Sequence, residues 1–259
     1  MQASFKSSVP AAMQIQELLS AEGLKDEFIA VLGHELLSPL VAVQHAMRIL
    51  NGDVGEDPLV RRRTHALIDR QVRQMLLLTA GLRDISQLAR GQLRLQRERI
   101  DLRRVLADAL ETMSPQLQQR AHVFTTRWPD EPVWLSADAD RLDQVFRNLL
   151  GNASKFTRPG GELALSLQVN EHQALVRVRD SGIGIDAEAL PHIFKMYMQG
   201  DQGPTGYRPG LGIGLALVQM LVELHGGRVA AVSAGAGLGS EFTVRLPLAD
   251  CTPARDPQL

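Results

Sequence analysis

The sequence predicts an α+β protein in which an N-terminal helical hairpin precedes an α/β sandwich. Three observations predict it. Two long stretches carry apolar residues at three- and four-residue steps, on either side of the turn-rich NGDVGEDP at 51–58. After Gly91 the texture changes, and short β-type runs alternate with helical segments. The chain has 259 residues, 44% of them hydrophobic, which is material for two domains and a sizeable core.

Residues 1–23 read as a linker or helix extension, polar and small over 1–12. A first helix is expected from about Met13 to Leu50. Its apolar stripe is Ile29, Leu32, Leu36, Leu40, Val43, Met47 and Leu50. Pro39 lies inside that run and predicts a kink or a loosened turn beyond His34. A second helix is expected from about Leu59 to Arg90, with the stripe Ile68, Val72, Met75, Thr79, Leu82, Ser86 and Ala89. One hairpin offers too little partner surface for two such stripes, whereas two hairpins packed as a four-helix bundle bury both. A homodimer through residues 24–92 is therefore expected.

Residues 93–248 form the predicted sandwich. Ile100–Gln119 reads as a helix with Asp101 as its cap, and Ala139–Phe156 as another. HVFTTRW, PVWLSA, GELALSLQV and ALVRVRD read as strands. A short helix is expected over AEALPHIFKMYM, and a longer one from about Gly212 to His225. GRVAAVSA and SEFTVRLPL close the domain as strands around a glycine-rich turn, with helices on one sheet face. Residues 249–259 read as a flexible tail.

The net charge of −1 gives no global argument for nucleic acid or for a membrane surface. The one basic run, Arg61 to Arg63, is short and fits a solvated helix start. Charges break every apolar stretch before the roughly 18 residues of a membrane span. The N-terminus lacks a signal-peptide core, and the single Cys251 fits a reducing compartment. The expectation is a soluble cytoplasmic chain without membrane contact of its own, standing alone or as the cytoplasmic part of a longer receptor.

Four short segments carry chemistry. In NLLGNASKFT, Asn148 and Asn152 are four apart and share a helix face. Their amide oxygens suit Mg²⁺, and Lys155 follows within reach of a phosphate; a surface asparagine pair bridging loops is an equal alternative. In DSGIGI, Asp180 arrives at a strand end where its carboxylate can accept from an exocyclic amine such as that of adenine. Gly182 and Gly184 let backbone pass close to a flat ring, although a plain Asp-Ser-Gly turn is common. In GLGIGLAL, Gly210, Gly212 and Gly214 precede an apolar helix, exposing amides and a positive dipole end suited to phosphate, or serving as a hinge. Between the two glycine segments, 186–209 reads as a mobile lid anchored by Phe194. The fourth segment is GHELLSPL, with His34, Glu35, Ser38 and Pro39. An isolated helical histidine is more often structural, and His45, His65, His122, His172, His192 and His225 lack such a setting. Zinc is disfavoured because HELLSPL has no second histidine four residues on.

Taken in order, these segments resemble the sensor histidine kinases of bacterial two-component signalling. GHELLSPL resembles their His box; NLLGNASKFT, DSGIGI, IFKMYMQ and GLGIGLAL resemble the Asn, first glycine, Phe and second glycine boxes. The resemblance covers about residues 24–248, and the later half also resembles the ATPases of type II topoisomerases and chaperones. It implies an ATP-dependent kinase whose phosphoacceptor is His34, with Glu35 orienting or deprotonating the imidazole. It implies Mg²⁺ on Asn152 and Asn148, phosphate on Lys155, adenine on Asp180 beside Gly182 and Gly184, and a lid closing through Gly210, Gly212 and Gly214. The partner implied is the receiver domain of a response regulator. Two positions depart from the pattern: Leu37 replaces the usual arginine, and Ser38 stands where threonine or asparagine is commoner. In relatives that second position helps place water for dephosphorylating the partner, and serine keeps a hydroxyl, so the resemblance leaves a net phosphatase as an alternative; a non-catalytic ATP-sensing dimeric module is another.

Overall fold

The computed structural model describes residues 22–52, 57–90, 92–170, 172–195 and 213–249. Of the expected features, the helical stretch 13–21, the end of the short helix at 196–198, most of the lid, Gly210, Gly212 and the tail from residue 250 lie outside the described residues.

The described residues divide into two compact units. One holds the hairpin together with Ile213–Leu217, and the other holds Arg94–Lys195 and the chain from Val218 onward. The hairpin consists of α1 (Glu22–Leu50) and α2 (Pro58–Ala89) packed on each other. Helix α1 continues through Pro39. Proline has no N–H to give, so the Glu35 carbonyl lacks its helical partner and the turn after His34 is loosened.

The two predicted stripes divide in a way that period alone did not reveal. Pro39 and Ala46 are buried and Leu36, Val43 and Leu50 half-buried on α1, while Thr64 is buried and Ile68, Met75, Leu82 and Ser86 half-buried on α2. Leu40 and Met47, expected in the same stripe, are exposed together with Leu37 and Val41; so are Val72 and Leu76 on α2. Thr79 is also exposed, its hydroxyl turned back to the carbonyls of Met75 and Leu76. A wide apolar arc on each helix thus spends one side inside the hairpin and leaves the other uncovered.

The second unit begins with β1 (Glu98–Asp101), which pairs antiparallel with β3 (Trp134–Ala137). Ile100, expected to open a helix, instead lies in β1, and α3 runs Leu102–Gln119. The cause is Asp101, whose carboxylate accepts from the amides of Arg103 and Val133, both at 3.1 Å, capping the helix and joining it to the strand's neighbour. Helix α4 runs Ala139–Phe156 as expected, capped by Asp138. Its Leu142, Val145, Phe146, Leu149, Leu150 and Ala153 recur at helical spacing and are buried, and α3 packs alongside.

The main sheet has five strands in the order β2-β4-β5-β7-β6. They are β2 (Val123–Arg127), β4 (Glu162–Val169), β5 (Gln173–Asp180), β6 (Arg228–Val232) and β7 (Ser240–Pro247). All pairings are antiparallel except β2 with β4. Leu163, Leu165 and Leu167, then Ala174, Val176 and Val178, then Val244 and Leu246 alternate inward under the helices, leaving the other face open. Helix α5 (Gly214–Leu224) adds the buried Val218, Leu221 and Val222. The expected helix over AEALPHIFKMYM is reduced among the described residues to one 3-10 turn, Leu190–His192. Pro191 sits in that turn, where a missing N–H costs nothing at a helix start but cannot extend one already formed.

Candidate functional site

The site is built around one departure from an apolar pattern. Strand β5 points Ala174, Val176 and Val178 inward, and the next inward position is Asp180, 6% exposed. A carboxylate there needs donors. Its Oδ1 accepts from the Gly182 amide at 2.8 Å and its Oδ2 from the Ser240 hydroxyl at 2.5 Å. The second donor comes from sheet register, because β5 and β7 pair Asp180 directly with Ser240. Each oxygen has a second lone pair, so the carboxylate retains capacity to accept from a bound amine.

The turn after Asp180 is clamped from two sides. The Ile183 amide donates to the carbonyl of Phe156, the last residue of α4, at 3.1 Å. A Cβ at Gly182 would lie 2.5 Å from that same carbonyl oxygen, so only glycine lets the turn seat against the helix end. On the other side stands the loop between β6 and β7. Gly237 donates to the Ile183 carbonyl and Gly239 to the Gly182 carbonyl, while the Ser233 hydroxyl accepts from Ile185 and donates to Gly239. Gly184 has φ +71, and a Cβ there would fall 2.0 Å from the Gly235 carbonyl oxygen. Gly182 and Gly184 thus meet protein backbone directly.

This clamp brings two of the sequence segments together. Asn148, Asn152 and Lys155 lie on the half-buried face of α4, on the helix whose end is bonded to the Asp180 turn. Lys155 Nζ lies 4.7 Å from the Phe156 ring centre. Phe194 is half-buried and meets Phe242 of β7 edge to face, with ring centres 6.2 Å apart. Gly214 opens α5. On the other unit, His34 and Glu35 occupy α1, and their side chains lie outside what is described. Ser38, one turn on, is exposed.

Residues that the segments did not announce are Ser233, Ser240 and the glycines of the β6–β7 loop. The signal was present in SAGAGLGS, where Gly235, Gly237 and Gly239 all have positive φ, but nothing local ties that loop to Asp180. His225 was expected to be structural or solvated, and it is buried. Its Nε2 accepts from the Asp138 amide and its Nδ1 donates to the Leu221 carbonyl. Burial, with Arg97 nearby, holds its pKa below the usual value against the opposing pull of the Leu221 carbonyl and Asp138. Among the described residues no group of three or more His, Cys, Asp or Glu side chains is arranged to hold a metal. No described helix is long and apolar enough to cross a membrane.

A buried acceptor at a strand end, a glycine turn and a polar helix face fit the class of ATPase to which residues 137–250 match, the histidine kinase-, DNA gyrase B- and HSP90-like ATPases. Over 229 residues the chain is 31% identical to the sensor protein SrrB of Staphylococcus aureus (strain N315), a span of 86% of this chain and 38% of that protein. The solved structure of Acinetobacter baumannii histidine kinase AdeS superposes with a TM-score of 0.61 at 25% identity, over 84% of this chain and 98% of that one. Histidine kinase ThkA, in complex with response regulator protein TrrA, shares the fold with a TM-score of 0.66 at 17% identity, over 92% of this chain and 64% of that one. Residues 137–250 thus match this ATPase family, and over most of its length the chain is similar to sensor histidine kinases, with an N-terminal helical hairpin ahead of the ATPase-type domain. The chain spans about 38% of the length of the curated relative it matches.

Proposed function

We propose that this chain is an ATP-dependent, autophosphorylating protein-histidine kinase. His34 takes the γ-phosphoryl group and passes it to an aspartate of a response-regulator receiver domain. The observation that carries the reading is the buried, doubly held Asp180, joined through its turn to the end of the helix bearing Asn148 and Asn152. A residue that so breaks an apolar strand, and is then supplied with its own donors, has a use beyond packing.

In this reading Asp180 accepts from the exocyclic amine of adenine, and Lys155 contacts the phosphates. Asn148 and Asn152 would hold Mg²⁺, which would supply charge neutralisation for the triphosphate. Gly210, Gly212 and Gly214 give the lid its freedom, with Phe194 packed at its base. Neutral imidazole is a competent nucleophile near pH 7, since its ordinary pKa is about 6.5. One nitrogen of His34 attacks phosphorus as the bond to the ADP oxygen breaks, and Glu35 accepts or stabilises the proton on the other nitrogen. The phosphoramidate that results is labile, which suits onward transfer to a carboxylate.

The working domains are then 24–92 for dimerisation and phosphoacceptance and 93–248 for ATP binding, acting as the cytoplasmic part of a longer sensor. Exposed Leu37, Leu40, Val41 and Met47 on α1 and Val72 and Leu76 on α2 support a homodimer packed as a four-helix bundle. The deciding experiment labels the chain with γ-³²P ATP. The reading expects an acid-labile, alkali-stable label on the protein that disappears in His34→Gln while nucleotide affinity is kept. Label that survives in His34→Gln, or turnover to free phosphate with no labelled protein, would refute it.

A further inference from the structure

The face of the main sheet turned away from the helices carries a charge pattern that nucleotide binding does not use. Arg127 of β2, Arg177 and Arg179 of β5, Arg228 of β6 and Arg245 of β7 all project from it, against Glu162 and Glu241. Register places Arg127, Ser166 and Arg177 on one row across three strands, and Ala164, Arg179 and Glu241 on the next. Arg177 is partly engaged, by Gln168 at 2.6 Å and loosely by Glu241 at 3.7 Å. The other four make no ion pair among the described residues. A chain whose net charge is −1 thus concentrates five guanidinium groups on one sheet face, four of them without an ion pair among the described residues.

At one end of this face lies a cavity of about 610 Å³, lined by Val123, Glu162, Ala164, Arg179, Asp180 and Leu238 among others. Its two apolar walls are unusually open, Val123 at 56% and Leu238 at 68% exposure. Arg179 and Glu162 both line it beside these apolar side chains, and Arg127 and Arg177 on the adjoining row make the surroundings cationic, which suits an apolar anchor flanked by acids.

We propose that this face docks an acidic, extended protein segment, seating one apolar side chain between Val123 and Leu238 and laying its carboxylates on Arg127, Arg177 and Arg179. Planar guanidinium groups match carboxylates bidentately, and strand spacing of about 4.8 Å sets them out in rows that an extended chain can follow. Single-stranded nucleic acid is the poorer fit, because the face offers no aromatic ring on which a base can stack. The arginine rows lie on the sheet face turned away from the helices, the cavity at their end also takes Asp180 and Gly237 into its lining, and the proposal does not depend on what Asp180 binds.

The test uses the full 259-residue chain and a fluorescently labelled, glutamate-rich peptide with a single central leucine, read by anisotropy. Saturable binding is expected, falling as salt rises from about 0.05 to 0.5 M. Arg179→Glu should weaken it by at least about threefold and Arg177→Glu/Arg179→Glu by more. Leu238→Ser should weaken it as well, and so should replacing the peptide's leucine by glycine. Arg127→Glu serves as a second charge reversal should Arg179→Glu melt early. The proposal is overturned if the peptide does not bind, or if the leucine-free peptide binds equally well. Equal or tighter binding of an oligothymidylate of matched charge, or of phosphatidylserine vesicles, overturns it too.

Discussion

Removing the Ser240 hydroxyl isolates the hold on Asp180. In Ser240→Ala the carboxylate loses its Oδ2 donor at 2.5 Å and keeps only the Gly182 amide on Oδ1. With Asp180 6% exposed, water does not freely take the vacated place. A hydrogen bond to a charged group contributes about 1.5–3 kcal/mol, so the ATPase-type unit should lose about that much stability. For a unit of this size the melting temperature then drops by roughly 3–12 °C. Nucleotide affinity should fall by about tenfold if about 1.4 kcal/mol of the loss is felt in the carboxylate that meets adenine. Thermal melts and calorimetric titration with a non-hydrolysable ATP analogue read both quantities. Ser240→Thr keeps the hydroxyl and should restore most of each. If Ser240→Ala melts with the parent and binds the analogue equally, the register-placed hydroxyl does not hold Asp180 and the account of the site is wrong.

Gly182→Ala pushes a Cβ to within 2.5 Å of the Phe156 carbonyl oxygen, so the turn must shift at a cost of about 1–3 kcal/mol, with nucleotide affinity falling in step. Gly160→Ala is its control: φ is +79 but nothing lies within 4 Å, so only the backbone term of about 1–2 kcal/mol applies and affinity is unchanged. Equal affinities in the two variants would contradict the clamp. His225 gives a pH dependence. Burial keeps its folded-state pKa below the unfolded value, so the unfolded chain gains a proton first as pH falls. Stability is therefore full above about pH 6.5 and declines below it, and urea melts should show this component of the slope vanish in His225→Phe. Leu76→Glu, at a side chain 63% exposed, should convert a dimer to a monomer in light scattering without lowering the melting temperature of the second unit; an unchanged mass would remove that surface from the interface.

Much of the fold was legible because its signals are local. The periodicity of Leu142, Val145, Phe146, Leu149 and Leu150 and the cap at Asp138 give α4 bounds that agree with the expectation at both ends. Asp101 was expected to cap the third helix and does, although the helix starts after it and Ile100 belongs to a strand. Periodicity cannot distinguish an Ile leading into a helix from one ending a short strand, because two or three residues carry no period. The same weakness gave a helix over 187–198, of which the described part, as far as Lys195, holds one turn at Leu190–His192. The hairpin stripes were legible as apolar, but which side of each helix meets its neighbour in the chain depends on how the two helices cross, and Leu40 and Met47 fell on the outer side.

The residue types at the candidate site were visible in the sequence, as were the elements that carry them: an acid ending a strand, two asparagines a helical turn apart, and a histidine and glutamate on an amphipathic helix. Those are consequences of neighbours a few residues apart, for which intrinsic geometry suffices. Only the tertiary structure decided that Ser240 faces Asp180, that Phe156 receives the amide of Ile183, and that five arginines share one face. Strand register joins residues far apart in the chain and is chosen by the collective burial of alternating side chains, so no short stretch of sequence contains it.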